Sequence, residues 1–178
     1  PPATCPACGG PFARRTWSRL PDVPVQVVVS GETGRQQDQA VSQGDLARIE
    51  EAQADPRQDA VPTLSIDKQR EMYSRSGLGK AGLTETRNFF SPRNAIALLE
   101  IWRAIADITD ERMRHKLRFA FTAILPRASK RYQWSRQRPL NAQNQTYYIA
   151  PVYYEWNVFD LFERKVNAAV RAAEALEG

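Results

Sequence analysis

The sequence has few cysteines and no long apolar run, and both absences narrow the class of protein. Two of the 178 residues are cysteines, Cys5 and Cys8, too few for the disulfide framework of a small secreted domain. The longest apolar runs, such as Val27–Val29 and Ala95–Leu99, are far shorter than a bilayer span, and no signal segment opens the printed sequence. We therefore expect a cytoplasmic protein without a membrane partner.

Acidic residues are missing from one long stretch, 112–154, which we call the basic segment. It contains nine Lys or Arg residues and no Asp or Glu, whereas the rest of the chain carries sixteen basic and twenty acidic residues, a net charge of −4. The whole excess behind the net charge of +5 therefore lies in this segment. Concentrated positive charge indicates a polyanionic partner, nucleic acid first, because each neutralised phosphate releases counterions. A solvated basic helix face and loop explains the charge equally well.

The sequence has one histidine, so it offers few side chains for acid–base catalysis or for a complete metal site. Cys5 and Cys8 have the two-residue spacing that lets two thiolates chelate one tetrahedral zinc ion, and Gly9 and Gly10 permit a tight turn beneath it. A structural zinc needs four ligands, and His115, the one histidine, is better explained as a helix-surface residue. The sequence therefore predicts a zinc half-site. A redox dithiol fits less well, because no strand precedes the cysteines and no apolar helix follows them.

Turn residues and apolar spacing predict an α+β fold in which an N-terminal portion, with zinc knuckle and β-hairpin, precedes a mainly helical portion. A valine-rich strand over 24–29 and a weaker strand over 35–41, joined by a polar turn, predict the hairpin. A short helix follows, capped by Ser42 or Asp45 and ending before Pro56.

The mainly helical portion is predicted to hold three helices and one aromatic strand. A helix begins at Ser91, a second spans 110–126, and the two are expected to pack antiparallel. The tyrosine-rich stretch 146–154 predicts a strand, interrupted by Pro151. Asn157 is expected to cap the last helix, whose predicted buried stripe comprises Val158, Leu161, Phe162, Val166, Ala169, Val170 and Ala173.

These elements predict three parts along the chain. Residues 1–56 form the knuckle, hairpin and short helix, 57–88 form a polar linker, and 89–178 form the helical domain. The run Gly77–Gly82 matches the glycine pattern of dinucleotide-binding sites, but no buried strand precedes it and no apolar helix follows it. We therefore interpret it as a flexible loop. No combination of residues in the sequence suggests a catalytic site.

The loop 126–139 interleaves cations with aromatic rings, and we call it the basic–aromatic loop. Cations bind phosphates, while aromatic faces stack on bases, and the amide side chains that follow the loop add donors and acceptors without negative charge. The alternative is that the two rings anchor the core, with arginines lying over them as cation–π partners. The candidate DNA-binding residues are Arg127, Lys130, Arg131, Tyr132, Trp134, Arg136 and Arg138.

Short blocks of the sequence, in a particular order and spacing, carry a resemblance to a known family. The blocks are Thr-Cys-Pro-Ala-Cys-Gly-Gly over 4–10, Phe-Phe-Ser-Pro-Arg-Asn over 89–94, Leu-Arg-Phe-Ala-Phe-Thr over 117–122, Ala-Ser-Lys over 128–130, and Tyr-Glu-Trp-Asn-Val-Phe over 154–159 with Phe-Glu-Arg-Lys-Val over 162–166. Together they resemble the middle region of adenine-specific DNA methylases that contain a zinc ribbon. The resemblance covers most of the chain.

The resemblance implies a function and partners. Members of that family are large bacterial enzymes that use S-adenosylmethionine, often in restriction-modification or phage defence. They carry a glycine-rich cofactor motif before this region and an Asp-Pro-Pro-Tyr catalytic motif after it, and neither is present in this sequence. The resemblance therefore implies a DNA-recognition fragment that transfers no methyl group alone and has as partners DNA and the remaining parts of the methylase or a catalytic subunit. The second cysteine pair of the ribbon is also absent, which leaves Cys5 and Cys8 as the implied zinc ligands.

A function of a different class is also compatible with the sequence. The chain can be a structural or protein-interaction module whose aromatic strand and last helix dock onto a larger protein, without contact to DNA. That function requires an exposed apolar patch on the isolated chain.

Overall fold

One β-hairpin, five α-helices and two short 3₁₀ helices make up the described part of the chain. The structure is a computed structural model that describes residues 4, 8–10, 21–31, 34–75, 77–79, 81–134 and 149–177. The combination of an antiparallel hairpin with helices confirms the predicted α+β class. Within these ranges, no helix combines the length and the apolar character needed to cross a membrane.

The hairpin and the first helix form where the sequence predicts them. Strand β1 (Val27–Ser30) pairs antiparallel with β2 (Gln36–Gln39), and the turn between them uses Gly34 at a positive φ of 73°. Helix α1 (Gln43–Ala54) is capped by Ser42, which exchanges hydrogen bonds with Asp45 in a capping box. The hydrogen bonds from Ser42 hold the pKa of Asp45 below its ordinary value.

Helices α3 (Pro92–Ala106) and α4 (Glu111–Ala128) form the predicted antiparallel pair, after a four-residue helix α2 (Glu71–Ser74). The Asn94 side chain at the start of α3 donates to the carbonyl of Ala128 at the end of α4 (3.0 Å). Further along, the Trp102 ring lies 5.4 Å from that of Phe121. The order of these contacts shows that the two helices run in opposite directions.

Helix α4 ends two residues later than predicted, because Pro126 lies inside its last turn. Proline has no N–H group, so the helix loses one hydrogen bond at this position. Because the position is near the end of α4, few of its other hydrogen bonds are affected. The Ser129 hydroxyl donates to the carbonyl of Pro126 (2.8 Å) and satisfies one of the acceptors that the helix end leaves open.

The main core lies where helix α5 (Val158–Glu177) packs against α3 and α4. Asn157 caps α5 as predicted, since its Oδ1 accepts from the backbone N–H groups of Phe159 and Asp160. The predicted buried stripe is confirmed only in the first turns of α5, and Val170 is 50% exposed. The buried core residues are Leu98, Ile101, Ile105, Phe121, Ile124, Ala128, Val158 and Leu161.

The stretch 57–88, expected as a linker, has short elements and a small core of its own. Ile66, Leu78, Leu83 and Phe89 are buried together, and the 3₁₀ helices Pro56–Ala60 and Thr86–Phe89 lie at its ends. Within the glycine run, a Cβ on Gly79 would lie 2.2 Å from the Tyr73 ring, so this glycine permits a close approach. The buried residues are too widely spaced to show a period, which explains why the sequence pattern suggested only a connection.

The sequence predicts a strand over the aromatic stretch 146–154. The described part of this stretch, 149–154, is not a strand. It forms one isolated antiparallel bridge, between Tyr153 and Gln133, instead of a regular ladder. Pro151 has no N–H group to donate, so a regular ladder cannot run through it.

Ser91 links the start of α3 to the stretch before α5. Its hydroxyl caps α3 by accepting from the N–H of Asn94 (3.3 Å) and donates to Oε1 of Glu155 (2.7 Å). Arg93 donates two further hydrogen bonds to Glu155, at 2.9 and 2.8 Å, and this carboxylate raises the pKa of Arg93 above its ordinary value. Ser91 thus serves two elements with one hydroxyl group.

We expect Ser91→Ala to lower the free energy of unfolding by about 2 kcal/mol, of which about 1 comes from removing the cap and about 1 from removing the bond to a partly exposed carboxylate. Ser42→Ala removes a cap from the exposed helix α1 and should cost about 1 kcal/mol. Urea denaturation at neutral pH measures both. Equal losses in the two variants would show that the bond to Glu155 adds no stability.

Candidate nucleic-acid interface

The described chain on either side of residues 135–148 is joined by backbone hydrogen bonds, in what we call the loop base (130–134 and 150–154). Residues 135–148, which include the candidates Arg136 and Arg138, lie outside the described residues. The two stretches therefore fix where the intervening chain leaves and returns. Three hydrogen bonds join them, from the N–H of Ala150 to the carbonyl of Lys130 (3.1 Å), of Trp134 to Val152 (2.9 Å), and of Tyr154 to Tyr132 (3.0 Å).

Tyr132 anchors the loop base to the core. It is 7% exposed, and its ring centroid lies 6.0 Å from that of Tyr154 and 5.7 Å from that of Trp156. The Arg127 guanidinium lies over the Tyr132 ring, 6.0 Å from its centre. For Tyr132 the structure therefore shows the arrangement of a core anchor with an arginine over its ring, and this ring presents little surface to a ligand.

Trp134 is the loop aromatic with an accessible ring. Its side chain is 37% exposed, and its backbone is fixed by the hydrogen bond to Val152. A partly exposed ring on a fixed backbone can stack on a base with little loss of backbone entropy.

Lys130 is engaged by an acid from the N-terminal part of the chain. Its Nζ lies 2.6 Å from Oδ2 of Asp22 and 5.9 Å from the centre of the Tyr153 ring, and its side chain is 12% exposed. Its backbone N–H donates to the carbonyl of Phe89 (2.7 Å). Lys130 is thus neutralised locally, unlike the exposed cations of the neighbouring helix.

The outward surface of α4 carries further cations, which are not among the candidate DNA-binding residues of the loop. Arg112, Lys116 and Phe119 follow one another at four- and three-residue spacing and are exposed, as is His115 beside them. We call these four residues the α4 basic face. Arg112 and Lys116 form no ion pair with any residue that the structure describes, while His115 lies 4.0 Å from Glu111. Helical phase was the signal in the sequence that could have identified this face.

Two other cations of α4 have structural partners. Arg114 donates to the carbonyl of Ile108 (2.9 Å), which closes the connection from α3. The Arg118 guanidinium lies 5.1 Å from the centre of the Trp102 ring, over the α3–α4 contact. Arg127, which is exposed, lies where α4 meets the loop base, about 22 Å along the helix from Arg112 at 1.5 Å per residue. Arg131 is half-buried.

The predicted zinc half-site is described only in part. Cys8 is exposed, while Cys5 lies outside the described residues. No group of three or more His, Cys, Asp or Glu among the described side chains could hold a metal ion. His115 lies on the α4 surface with 62% of its side chain exposed. Zinc binding by Cys5 and Cys8 therefore remains a prediction.

Comparison of the chain with protein-family models, curated proteins and solved structures finds no match.

Truncation of Tyr132 and truncation of Trp134 should have different effects on the free energy of unfolding. We expect Tyr132→Ala to lower the free energy of unfolding by about 3–5 kcal/mol, because it leaves a cavity in the aromatic cluster. Trp134→Ala should cost less, about 1–2 kcal/mol, because part of its ring is solvated already. Urea denaturation followed by far-UV circular dichroism compares them. A larger loss for Trp134→Ala would mean that Trp134, and not Tyr132, anchors the loop base.

Proposed function

We propose that this chain binds DNA through its basic segment. In this proposal it is the recognition segment of an S-adenosylmethionine-dependent DNA adenine methyltransferase of the restriction-modification or phage-defence type, and it transfers no methyl group alone. The observation that carries the proposal is the α4 basic face, where Arg112 and Lys116 are exposed and form no ion pair within the described chain. The resemblance in block order supports the methyltransferase context.

Some exposed cations elsewhere in the chain have an acid neighbour that the cations of this face lack. Arg75, Arg103 and Arg164 are exposed too, but each contacts an acid one helical turn away, at Glu71, Glu100 and Asp160 respectively. A cation with such a neighbour must exchange one anion for another when it meets a phosphate. Arg112 and Lys116 have no such competitor within the described residues, so their contact with phosphate gains the full effect of counterion release.

The loop base supports the same function through its geometry. Because 130–134 and 150–154 are joined by backbone hydrogen bonds, the intervening chain is tethered at both ends beside Trp134 and Arg127. Tethering lowers the entropy that a loop loses when it meets a ligand. We assign Arg136 and Arg138 to phosphate contact from this loop and Trp134 to stacking.

The remaining parts of the proposal concern zinc and the partner. Cys5 and Cys8 would supply two thiolate ligands to a structural zinc, and a tetrahedral site needs two more from elsewhere. S-adenosylmethionine and the catalytic motif would come from the remaining parts of the methylase or from a catalytic subunit. Adding labelled cofactor and such a subunit to the chain tests this assignment directly.

Removing three cations along α4 should weaken DNA binding and its salt dependence. For the triple variant Arg112→Ala, Lys116→Ala, Arg127→Ala, we expect the slope of log affinity against log salt to become shallower by about 2–3, since each phosphate that is no longer neutralised reduces the slope by about 0.9. Fluorescence anisotropy with a duplex at several salt concentrations measures this slope.

The triple variant Arg75→Ala, Arg103→Ala, Arg164→Ala is the matched control, because it removes the same charge from exposed positions that have acid neighbours. It should leave the slope nearly unchanged. Equal effects of the two triples would mean that net charge, and not the position of the three α4 cations, drives binding. Absence of binding by the unmodified chain at low salt would overturn the proposed function.

Asp22 should weaken DNA binding by occupying Lys130. Asp22→Asn leaves the Lys130 ammonium without its anion, so we expect a higher affinity and a salt slope steeper by up to about 0.9. Asp55→Asn is the control, since it makes the same charge change at a carboxylate that is paired with Arg57. The same anisotropy titration compares the two. An equal gain in both variants would show that Lys130 itself does not reach phosphate.

A second function, that of a protein-interaction module, is favoured by one specific observation. An apolar groove of about 480 Å³ opens between α3, α4 and α5, and Val170 further along α5 is also exposed. If the chain sediments as oligomers at rising concentration and binds no DNA at low salt, this second function replaces the first. The groove is lined by Glu100, Ile101, Ala104, Ile105, Ile108, Leu117, Phe159 and Phe162.

A further inference from the structure

Phe119 stands out on the α4 basic face because it is 72% exposed. Its neighbours one helical turn away are His115 and Lys116 on one side and Thr122 and Ala123 on the other, and all four are exposed. None of them is acidic, and the two on the C-terminal side are small. The ring therefore projects beyond its surroundings on a surface of positive charge.

Packing of the helix does not explain this ring. The buried face of α4 is formed by Ala120, Phe121 and Ile124, and one residue step turns the helix by about 100°, so Phe119 lies away from the core. Single exposed apolar side chains are common on protein surfaces. What points to a ligand is the position of this one, beside cations that have no acid partner in the described chain.

The residues around Phe119 indicate which kind of ligand it contacts. A membrane surface would favour several large apolar residues on one helix face, whereas the two that are exposed on α4, Phe119 and Met113, lie about 120° apart around the helix. On DNA, Arg112 and Lys116 contacting phosphates would bring the ring against the edges of the bases. Base faces in an intact duplex are covered by stacking, so a ring reaches them only by entering a step between base pairs.

We infer that Phe119 acts as a wedge that enters a base step, and that the preferred ligand is duplex DNA with an easily opened step. The inference rests on the proposed DNA binding and adds the class of substrate. Apolar wedges that enter base steps kink the duplex, and the cost depends on how readily the sequence opens. A mismatch lowers that cost, so mismatched duplexes should bind more tightly than matched ones of equal length.

Two duplexes that differ by a single mismatch, with 2-aminopurine beside it, test the inference at fixed salt. We expect the unmodified chain to bind the mismatched duplex about tenfold more tightly and to raise the 2-aminopurine fluorescence as the base unstacks. Phe119→Ala should abolish both effects while leaving the salt slope unchanged. Phe119→Leu keeps an apolar wedge and should retain part of the preference.

Phe159→Ala is the matched control, because Phe159 is also an exposed phenylalanine, at 56%, but lines the apolar groove on α5. It should leave the preference for the mismatch intact. Urea denaturation should show that Phe119→Ala is as stable as the unmodified chain, since an exposed ring contributes little to the core.

The other outcomes separate this inference from the proposed function. Salt-dependent binding without preference for the mismatch, or a preference that survives Phe119→Ala, overturns the wedge and leaves the proposed function standing. Tighter binding to a single strand than to either duplex also overturns the wedge, because stacking would then need no opened step. Failure to bind any DNA at low salt overturns both.

Discussion

The orientation of the candidate interface depends on the junction where residues 154–157 meet the first turn of α3. Glu155 accepts hydrogen bonds there from Ser91 and Arg93, while Trp156 packs against the main core and against Tyr132. One short stretch of chain therefore fastens the loop base, the start of α3 and the start of α5 to each other. The Ser91 hydroxyl is buried and would be costly to leave unpaired, so its bond to Glu155 favours this arrangement of the three elements.

The positive charge of the basic segment is divided among different roles by this arrangement. Lys130 is paired with Asp22, Arg114 closes a connection, and Arg118 lies over an indole ring. Long cationic side chains often cover apolar surface with their stems, so a count of charges along a sequence overstates the charge available to a ligand. Among the described cations of this segment, those that are exposed and have no acid neighbour in the described chain are Arg112 and Lys116 on the α4 basic face and Arg127 at the end of α4.

Local chemistry made the helix boundaries predictable from the sequence. The caps at Ser91, Asp110 and Asn157 each depend on residues within three positions, and the three helices begin where the sequence predicts them. The small core within 57–88 and the irregular path of 149–154 depend on contacts between distant residues, which no local pattern encodes. Within the candidate site, the sequence identified the cations, but not that Tyr132 is buried or that Phe119 is exposed, because both depend on which face of the chain meets the core.

Helix α4 lies between an apolar surface, the groove, and a positively charged surface, the α4 basic face. The two candidate functions therefore use different sides of the same helix. Leu117 lines the apolar groove with Phe159 and Phe162, while Lys116 and Phe119, its near neighbours in sequence, lie about 100° and 160° around the helix from it. A protein that docked in the groove would leave the α4 basic face uncovered. In the proposed function, the remaining parts of a methylase or a catalytic subunit would therefore use the α5 side of the chain, and DNA would use the other. DNA and the catalytic unit could then bind the chain at the same time. A recognition segment that is joined to a catalytic unit requires this.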